Sequence, residues 1–484
     1  MKKVTGFCIL MILSLVSCTT TATQIPATSI VLSNTPTKTP APTETPEATP
    51  TEIDYRVQPL IIKDQSELVD SRVSALVSGV VRNPSSEWED WVKGLKYDGF
   101  TRTRFTLNFS DGPAVDFSYA FIENGLPDDY IDLFRQMKDL GIKSRYSLSF
   151  WDMAHRQTGG TISHNRLSTE GEIDRYLTYV EMVATSLKGL VDSYELWNEP
   201  DANYDFYQRI EAEDYLRIAR LAIPLIREID PQAKIVLVST SSYTDENTPE
   251  YSMKILQSDV IALADAISLH TVNNDASPVF RSEYYYGYDA MWKDIKQVAE
   301  ANGFHGEYFA DELNYRSDYS LNTLQPEPGN YHPYEPEIAA KYIGRMIAIN
   351  LGMDISVGTS GTNAIERPFE GKMIRNMAFL FDGLQAYPFH VDVQSESNFV
   401  RYYTFVDDIG NKYIAVWHDG EAKLVSDNFA GSISVADTSA ISVTALDPFN
   451  STMQAMRFTN VENQVLIEDI ALTDYPIIYQ IMVR

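Results

Sequence analysis

The chain has 484 residues, 44% of them hydrophobic and 12% aromatic, and its net charge is −28. That apolar content fills a large core and excludes a disordered chain, and the length suits one large domain with a smaller companion. The acidic balance argues against nucleic-acid binding, which needs clustered Lys and Arg. The two cysteines, Cys8 and Cys18, exclude a disulfide framework or a thiolate metal site.

The chain opens on a positive pair, Lys2 and Lys3, followed by an apolar stretch from Phe7 to Val16 that is too short to span a bilayer. Next comes Leu15-Val16-Ser17-Cys18, which resembles the lipobox of bacterial lipoproteins. The resemblance implies a signal peptide over 1–18 and a lipid on Cys18. It implies export to the outer face of the bacterial cell membrane, with a membrane anchor but no transmembrane helix. Residues 19–53 are rich in Thr and Pro, as in Thr35-Pro36-Thr37-Lys38-Thr39-Pro40. Such a segment favours extended polyproline-like conformers and buries no core. At about 3.1 Å per residue it reaches on the order of 100 Å, the length of a stalk.

From Ser71 short apolar runs alternate with helix-length amphipathic segments, the pattern of βα units. Strands are expected at Ala75 to Val81, Thr101 to Phe109, Ser144 to Phe150, Ser193 to Trp197, Lys234 to Ser239, Ala266 to His270, Glu307 to Asp311 and Ile355 to Gly358. Helices are expected from Asp128 to Leu140, where Ile131, Phe134, Met137 and Leu140 form a stripe, and from Glu170 to Leu190, capped by Ser168 or Thr169 with Glu172. Further helices are expected at Glu213 to Ile229, Tyr288 to Asn302, Pro336 to Asn350 and Glu370 to Phe381. Gly141 and Gly303 stop two of them. Eight strands with crossover helices predict an α/β fold, a (β/α)8 TIM barrel, over 54–390. An open doubly wound sheet would carry a Gly-rich phosphate loop after its first strand, and there is none. After about Val391 the helical period stops. Six short strand patterns, from Arg401 to Val406 through Ile477 to Met482, predict a C-terminal β-sandwich over 391–484.

Barrel chemistry sits at the C-terminal ends of the strands. The fourth ends in Trp197-Asn198-Glu199-Pro200, and the seventh runs into Asp311-Glu312-Leu313-Asn314. Cleaving a glycosidic bond takes one carboxyl to protonate the leaving oxygen and a second to attack or to activate water. Glu199 and Glu312 supply that pair, with Asp311 competing for the inward position next to Glu312. Trp151, Tyr204 and Tyr243 follow strands three, four and five, where rings stack on sugar faces. No His/Asp/Glu cluster has metal spacing, and no cofactor is expected.

These motifs resemble the clan A retaining glycoside hydrolases, most closely the family 39 type that includes β-xylosidases and α-L-iduronidases. The resemblance runs from about Ser71 onward, and Trp-Asn-Glu-Pro is its most specific part. It implies that Glu199 is the acid/base and Glu312 the nucleophile. It also implies that Asn198 binds the substrate 2-hydroxyl, that Arg104 holds the nucleophile ionised, and that His270 lines the site. Arg102 shares the strand parity of Arg104 and competes with it. Two positions depart from the family pattern. Val272 stands where a Tyr is common, and Val357-Gly358-Thr359-Ser360-Gly361 lacks the usual Trp. Trp151 or Tyr315 is expected to fill in as a sugar-binding aromatic. The expected partner is therefore a carbohydrate substrate. A catalytically decayed, carbohydrate-binding barrel is the alternative, and a transglycosylase is a third reading.

Overall fold

The computed structural model describes residues 54–78, 87–106, 125–149, 166–202, 209–241, 243, 247–270, 282–313, 315, 317, 334–359 and 367–483. Cys18, the signal and linker segments, Trp151, Tyr204 and Val272 lie outside them. So do the end of the first expected strand and the tip of the second. Ile53–Arg484 is one compact unit. Among the described residues no helix is long and apolar enough to cross a membrane.

Eight parallel strands close into a barrel: β1 (Val73–Ser78), β2 (Arg102–Thr106), β3 (Lys143–Ser147), β4 (Ser193–Glu195), β5 (Lys234–Thr240), β6 (Ala266–Leu269), β7 (Glu307–Leu313) and β8 (Ser356–Thr359). Closure is through β1 and β8, with Val73 opposite Val357 and Ala75 opposite Thr359. Each strand is buried on both faces, and the two faces differ. Outward residues such as Val73, Ala75, Phe105, Tyr146, Tyr194 and Ile267 pack under the helices in one apolar core. Inward positions are largely polar or charged. Ser74, Arg104, Arg145, Ser193, Glu195, Ser268 and Asp311 are all buried, and the small apolar cluster Val236, Ala266 and Phe309 stands apart from the main core. Barrel interiors are usually filled by branched aliphatics, so this one is unusual.

The helices follow the expected periods. Thr169, rather than Ser168, is the N-cap of Glu170–Ser186, forming a capping box with Glu172. Gly141 and Gly303 both adopt positive φ, as helix stops require. The helix Thr248–Leu256, with Pro at its first turn, occupies the β5–β6 connection, which the sequence pattern leaves without a helix. It is short, and its polar residues Thr248 and Ser252 are buried, so it shows no wide apolar stripe.

Beyond the barrel stand a seven-stranded and a four-stranded antiparallel sheet. The larger one also takes in Gln58–Pro59, which pairs with Thr452–Ala455, and Gln385–Ala386, which pairs with Val400–Val406. Two-residue strands carry no period for a sequence reading to detect. In Lys412–His418 alternate residues part company. Tyr413, Ala415 and Trp417 join the barrel core, whereas Ile414 and Val416 join the sandwich core. The seven-stranded sheet is thus the middle layer. It packs on the helix Pro336–Gly352, whose buried Lys341 bonds Asp474 at 3.1 Å and whose Arg345 donates to the Asp474 carbonyl at 2.7 and 2.9 Å.

Candidate active site

The mouth of the barrel gathers side chains from β2, β4, β6 and β7. Glu199 reaches it because the backbone after β4 breaks regular strand geometry: Trp197 has φ of 74° and Glu199 of 49°. Its N–H donates to the Ser239 carbonyl at 2.8 Å, on a β5 segment that is itself irregular, with φ of 79° at Val238 and 42° at Ser239. Two residues on, Asp201 is buried and accepts from the Ser241 N–H, the Ser241 hydroxyl and the Thr248 hydroxyl at 2.7–2.8 Å. The loop carrying Glu199 is thereby tied to the loop after β5. Left-handed φ in non-glycine residues is costly, and it persists where the surroundings over-determine it.

β7 solves a second geometric problem. Consecutive strand residues face opposite sides of a sheet, yet both Asp311 and Glu312 face inward. The register with β8 shifts between Ala310 and Leu313, and Glu312 adopts φ of 59°. This bulge settles the competition between the two acids by sending both inside, at different depths. Asp311 points down to Arg145 and to the Ser268 hydroxyl, which donates at 2.6 Å. Glu312 stays at the mouth, with its side chain about a quarter exposed, and accepts from Arg104 Nη1 at 2.9 Å.

One carboxylate oxygen of Glu199, one of Glu312 and a ring nitrogen of His270 lie within 4.8 Å of one another. His270 follows β6, is fully buried, and places Nδ1 2.9 Å from Glu199 Oε1 and 3.6 Å from Glu312 Oε2. Burial works to keep the imidazole neutral, but the Glu312 charge and the Glu199 hydrogen bond outweigh it and raise His270 above its ordinary value. Burial also pushes the Glu312 carboxyl up, against the pull of His270 and Arg104 and with the help of Glu199. The arginine beside Glu312 therefore does not by itself hold that carboxyl low. The site behaves as a coupled set of two acids and one imidazole.

Arg104 divides its fork. Nε and Nη2 clamp the two oxygens of Glu195 at 2.8 and 2.5 Å, Nη2 also donates to Asn198 Oδ1 at 2.5 Å, and Nη1 serves Glu312. Arg102, the competing arginine of the same strand parity, lies one layer lower and pairs with Asp70 and Glu307. Because the arginine must face an acceptor, the oxygen of Asn198 points to Arg104 and its NH₂ is turned elsewhere. Tyr315 lies in an aromatic cluster, its ring stacked on Tyr342 at 5.2 Å with Tyr334 alongside, so that face is closed to a sugar. Tyr243 is buried.

Glu195, Arg145 and Ser268 have no place in the sequence reading of the site, and Asp311 enters it only as the competitor of Glu312. The available signal was a charge at an inward position of a strand that ought to be apolar on both faces. The Glu199, His270 and Glu312 donor atoms converge as a metal site's would. Arg104 on Glu312 and the His270–Glu199 hydrogen bond already engage these groups and compete with a divalent ion for their oxygens.

No protein-family model matches the sequence, and no curated protein matches it. Solved structures do. A family 39 glycoside hydrolase from the gut symbiont Bacteroides cellulosilyticus WH2 aligns with a TM-score of 0.59 at 15% identity, over 87% of this chain and 82% of that one. A Paenibacillus polymyxa xyloglucanase of family 44, solved with xyloglucan, gives 0.50 at 11% identity over 88% and 98%. AbfB, a family 51 α-L-arabinofuranosidase from Bifidobacterium longum, gives 0.50 at 13% over 89% and 98%. At these identities the likeness is one of fold: a TIM barrel with a C-terminal β-sandwich, shared with glycoside hydrolases of several families.

Proposed function

We propose that the chain is a retaining glycoside hydrolase in which Glu199 is the acid/base and Glu312 the nucleophile. The observation that carries this reading is the approach of the two carboxylates to within 4.8 Å, bridged by His270. Carboxyls about 5–5.5 Å apart leave no room for an attacking water between acid and base, so the second acid attacks the sugar itself.

In the first step a Glu312 oxygen forms the bond to the anomeric carbon, the glycosidic bond breaks, and Glu199 gives its proton to the leaving oxygen. The negative charge thereby moves from Glu312 to Glu199. His270 spans both groups and stays beside the charge wherever it resides. In the second step Glu199 takes a proton from water, which displaces Glu312 from the sugar. Asn198, with its oxygen held by Arg104, offers its NH₂ to a sugar hydroxyl beside Glu312.

Supporting experiments follow from these roles. On a panel of aryl glycosides, Glu312→Ala is expected to abolish turnover. Glu199→Ala is expected to lose about 10²–10⁴-fold, the usual range for acid–base assistance. Azide should rescue both, giving a product of retained configuration from the Glu199 variant and inverted from the Glu312 variant. Unimpaired turnover by Glu312→Ala would sink the assignment. Sugar binding without any hydrolysis would instead support a decayed, carbohydrate-binding barrel.

Residues 1–53 complete the reading as a lipid anchor on Cys18 and a Thr/Pro stalk. Cys18→Ser is expected to move the protein from the membrane fraction to the soluble one, and unchanged fractionation would overturn the anchor.

A further inference from the structure

Beneath the two carboxylates lies a closed layer of four charged side chains. Arg104 and Arg145 supply two cations, and Glu195 and Asp311 two anions; each is at least nine-tenths buried. Glu195 stands at the centre. It receives the Arg104 fork at 2.8 and 2.5 Å and Arg145 Nη1 at 3.2 Å. Arg145 also pairs with Asp311, which Ser268 completes. Burial favours the neutral acid at Glu195, but Arg104, with Arg145 behind it, keeps the carboxyl below its ordinary value.

We infer that Glu195 is a positioning residue of the glycoside-cleaving site: it clamps Arg104 from below through Nε and Nη2, leaves Nη1 for Glu312, and shares its charge. The inference rests on the proposed function and adds a requirement to it. When Glu312 becomes a neutral ester, it stops neutralising Arg104. An arginine paired with Glu312 alone would then be an uncompensated buried cation, which is strongly unfavourable. With Glu195 in place, Arg104 stays paired whether Glu312 is a carboxylate or an ester. The layer below sums to zero charge in both states, so the covalent stage is not penalised. The bidentate geometry also fixes the plane of the guanidinium, which a single contact would leave free to swing.

The groups facing Glu312 among the described residues are Arg104 from β2, Glu199 after β4, His270 after β6 and the adjacent Asp311. Facing Glu195 are Arg104, Arg145, Asp311 and Tyr215. None of the proposed substitutions touches Glu312. Glu195→Gln removes an anion from the layer, so Arg104 acts on Glu312 undiluted and the Glu312 titration moves down. Arg145→Met removes a cation and moves it up. Glu195→Asp retains the charge but draws it back from Arg104, giving a smaller downward movement. A purely structural role would not produce opposite signs.

The test is the pH dependence of Glu312 amidation by a water-soluble carbodiimide with an amine, mapped by peptide mass, in the unliganded full chain. The partial exposure of Glu312 admits the reagent. Glu195→Gln is expected to lower the midpoint by about one pH unit, a tenfold change in the proton equilibrium. Arg145→Met is expected to raise it by a similar amount. On an aryl glycoside, kcat of Glu195→Gln should fall at least about tenfold with little change in KM, because the loss falls on the covalent stage. An unmoved Glu312 midpoint in any folded variant of the three overturns the inference, and Glu195→Asp strands no buried charge and so gives a folded comparison. A wild type inert towards every glycoside would overturn the glycosidase reading separately, since the amidation midpoints need no substrate.

Discussion

Of the residues at the mouth, His270 has the simplest pH consequence. Its folded value is raised above the ordinary 6.5 by Glu312 and Glu199 against burial. A raised value means that the stabilisation is complete below pH 6.5 and is lost as pH rises through the folded value. The melting temperature of the unliganded protein is therefore expected to fall across that window, and that of His270→Asn to show a flatter profile. An equal slope in both would refute the linkage. Glu199 and Glu312 were legible in the sequence because a barrel places strand ends around one mouth, whereas Asn198, Arg104 and His270 were reached only through the resemblance to clan A glycoside hydrolases. Asp311 against Glu312 was not legible, because strand parity allows only one of two neighbours to face inward and a bulge overrides it. Glu195 and Arg145 escaped for another reason. A charge in a short strand reads as an exposed residue until the partner that neutralises it, about 50 positions away in sequence, is brought alongside.

At the scale of the element, β8 carries a spatial constraint from β7. A Cβ on Gly358 would overlap the Asp311 carboxylate, whose Oδ1 has no hydrogen-bond partner among the described residues. Gly358→Ala is expected to destabilise by about 1–3 kcal/mol, the usual range for overpacking, and to disturb the Arg145–Asp311 pair. Thermal unfolding measures the first effect. An unchanged melting temperature would mean that Asp311 has room to move. The run Val357-Gly358-Thr359 looked from sequence like the loss of a ring, whereas in the barrel it is also the space an inward acid needs. Long periodic helices were legible, and Thr169 at the start of Glu170–Ser186 resolves a choice of caps that the motif left open. Thr248–Leu256 and the two-residue strands were not, being too short to display a period.

For the whole molecule, the sandwich and the barrel are joined through a shared core and a buried ionic cluster. Lys341 and Asp474 are fully buried. Asp474→Ala removes the anion opposite a buried ammonium, which typically costs about 3–5 kcal/mol. Calorimetry should show a markedly lower transition, and a change below about 1 kcal/mol would exclude a structural role for the pair. Trp417, Ala415 and Ile478 lie in the same apolar core as the barrel helices. A chain ending at residue 384 would expose that face, and its expected fate on expression is aggregation.

The left-handed backbone at Glu312 has a practical side. A φ of 59° strains every side chain but suits glycine, so the position of the proposed nucleophile is also where removal of the side chain relaxes the chain. Glu312→Gly is thus expected to melt above Glu312→Ala. With the nucleophile gone, the vacated space can admit a glycosyl fluoride of inverted configuration, whose sugar Glu199 can help pass to an acceptor. If Glu312 is the nucleophile we propose, the bend that carries it would then make this barrel a robust host for glycosidic bond synthesis.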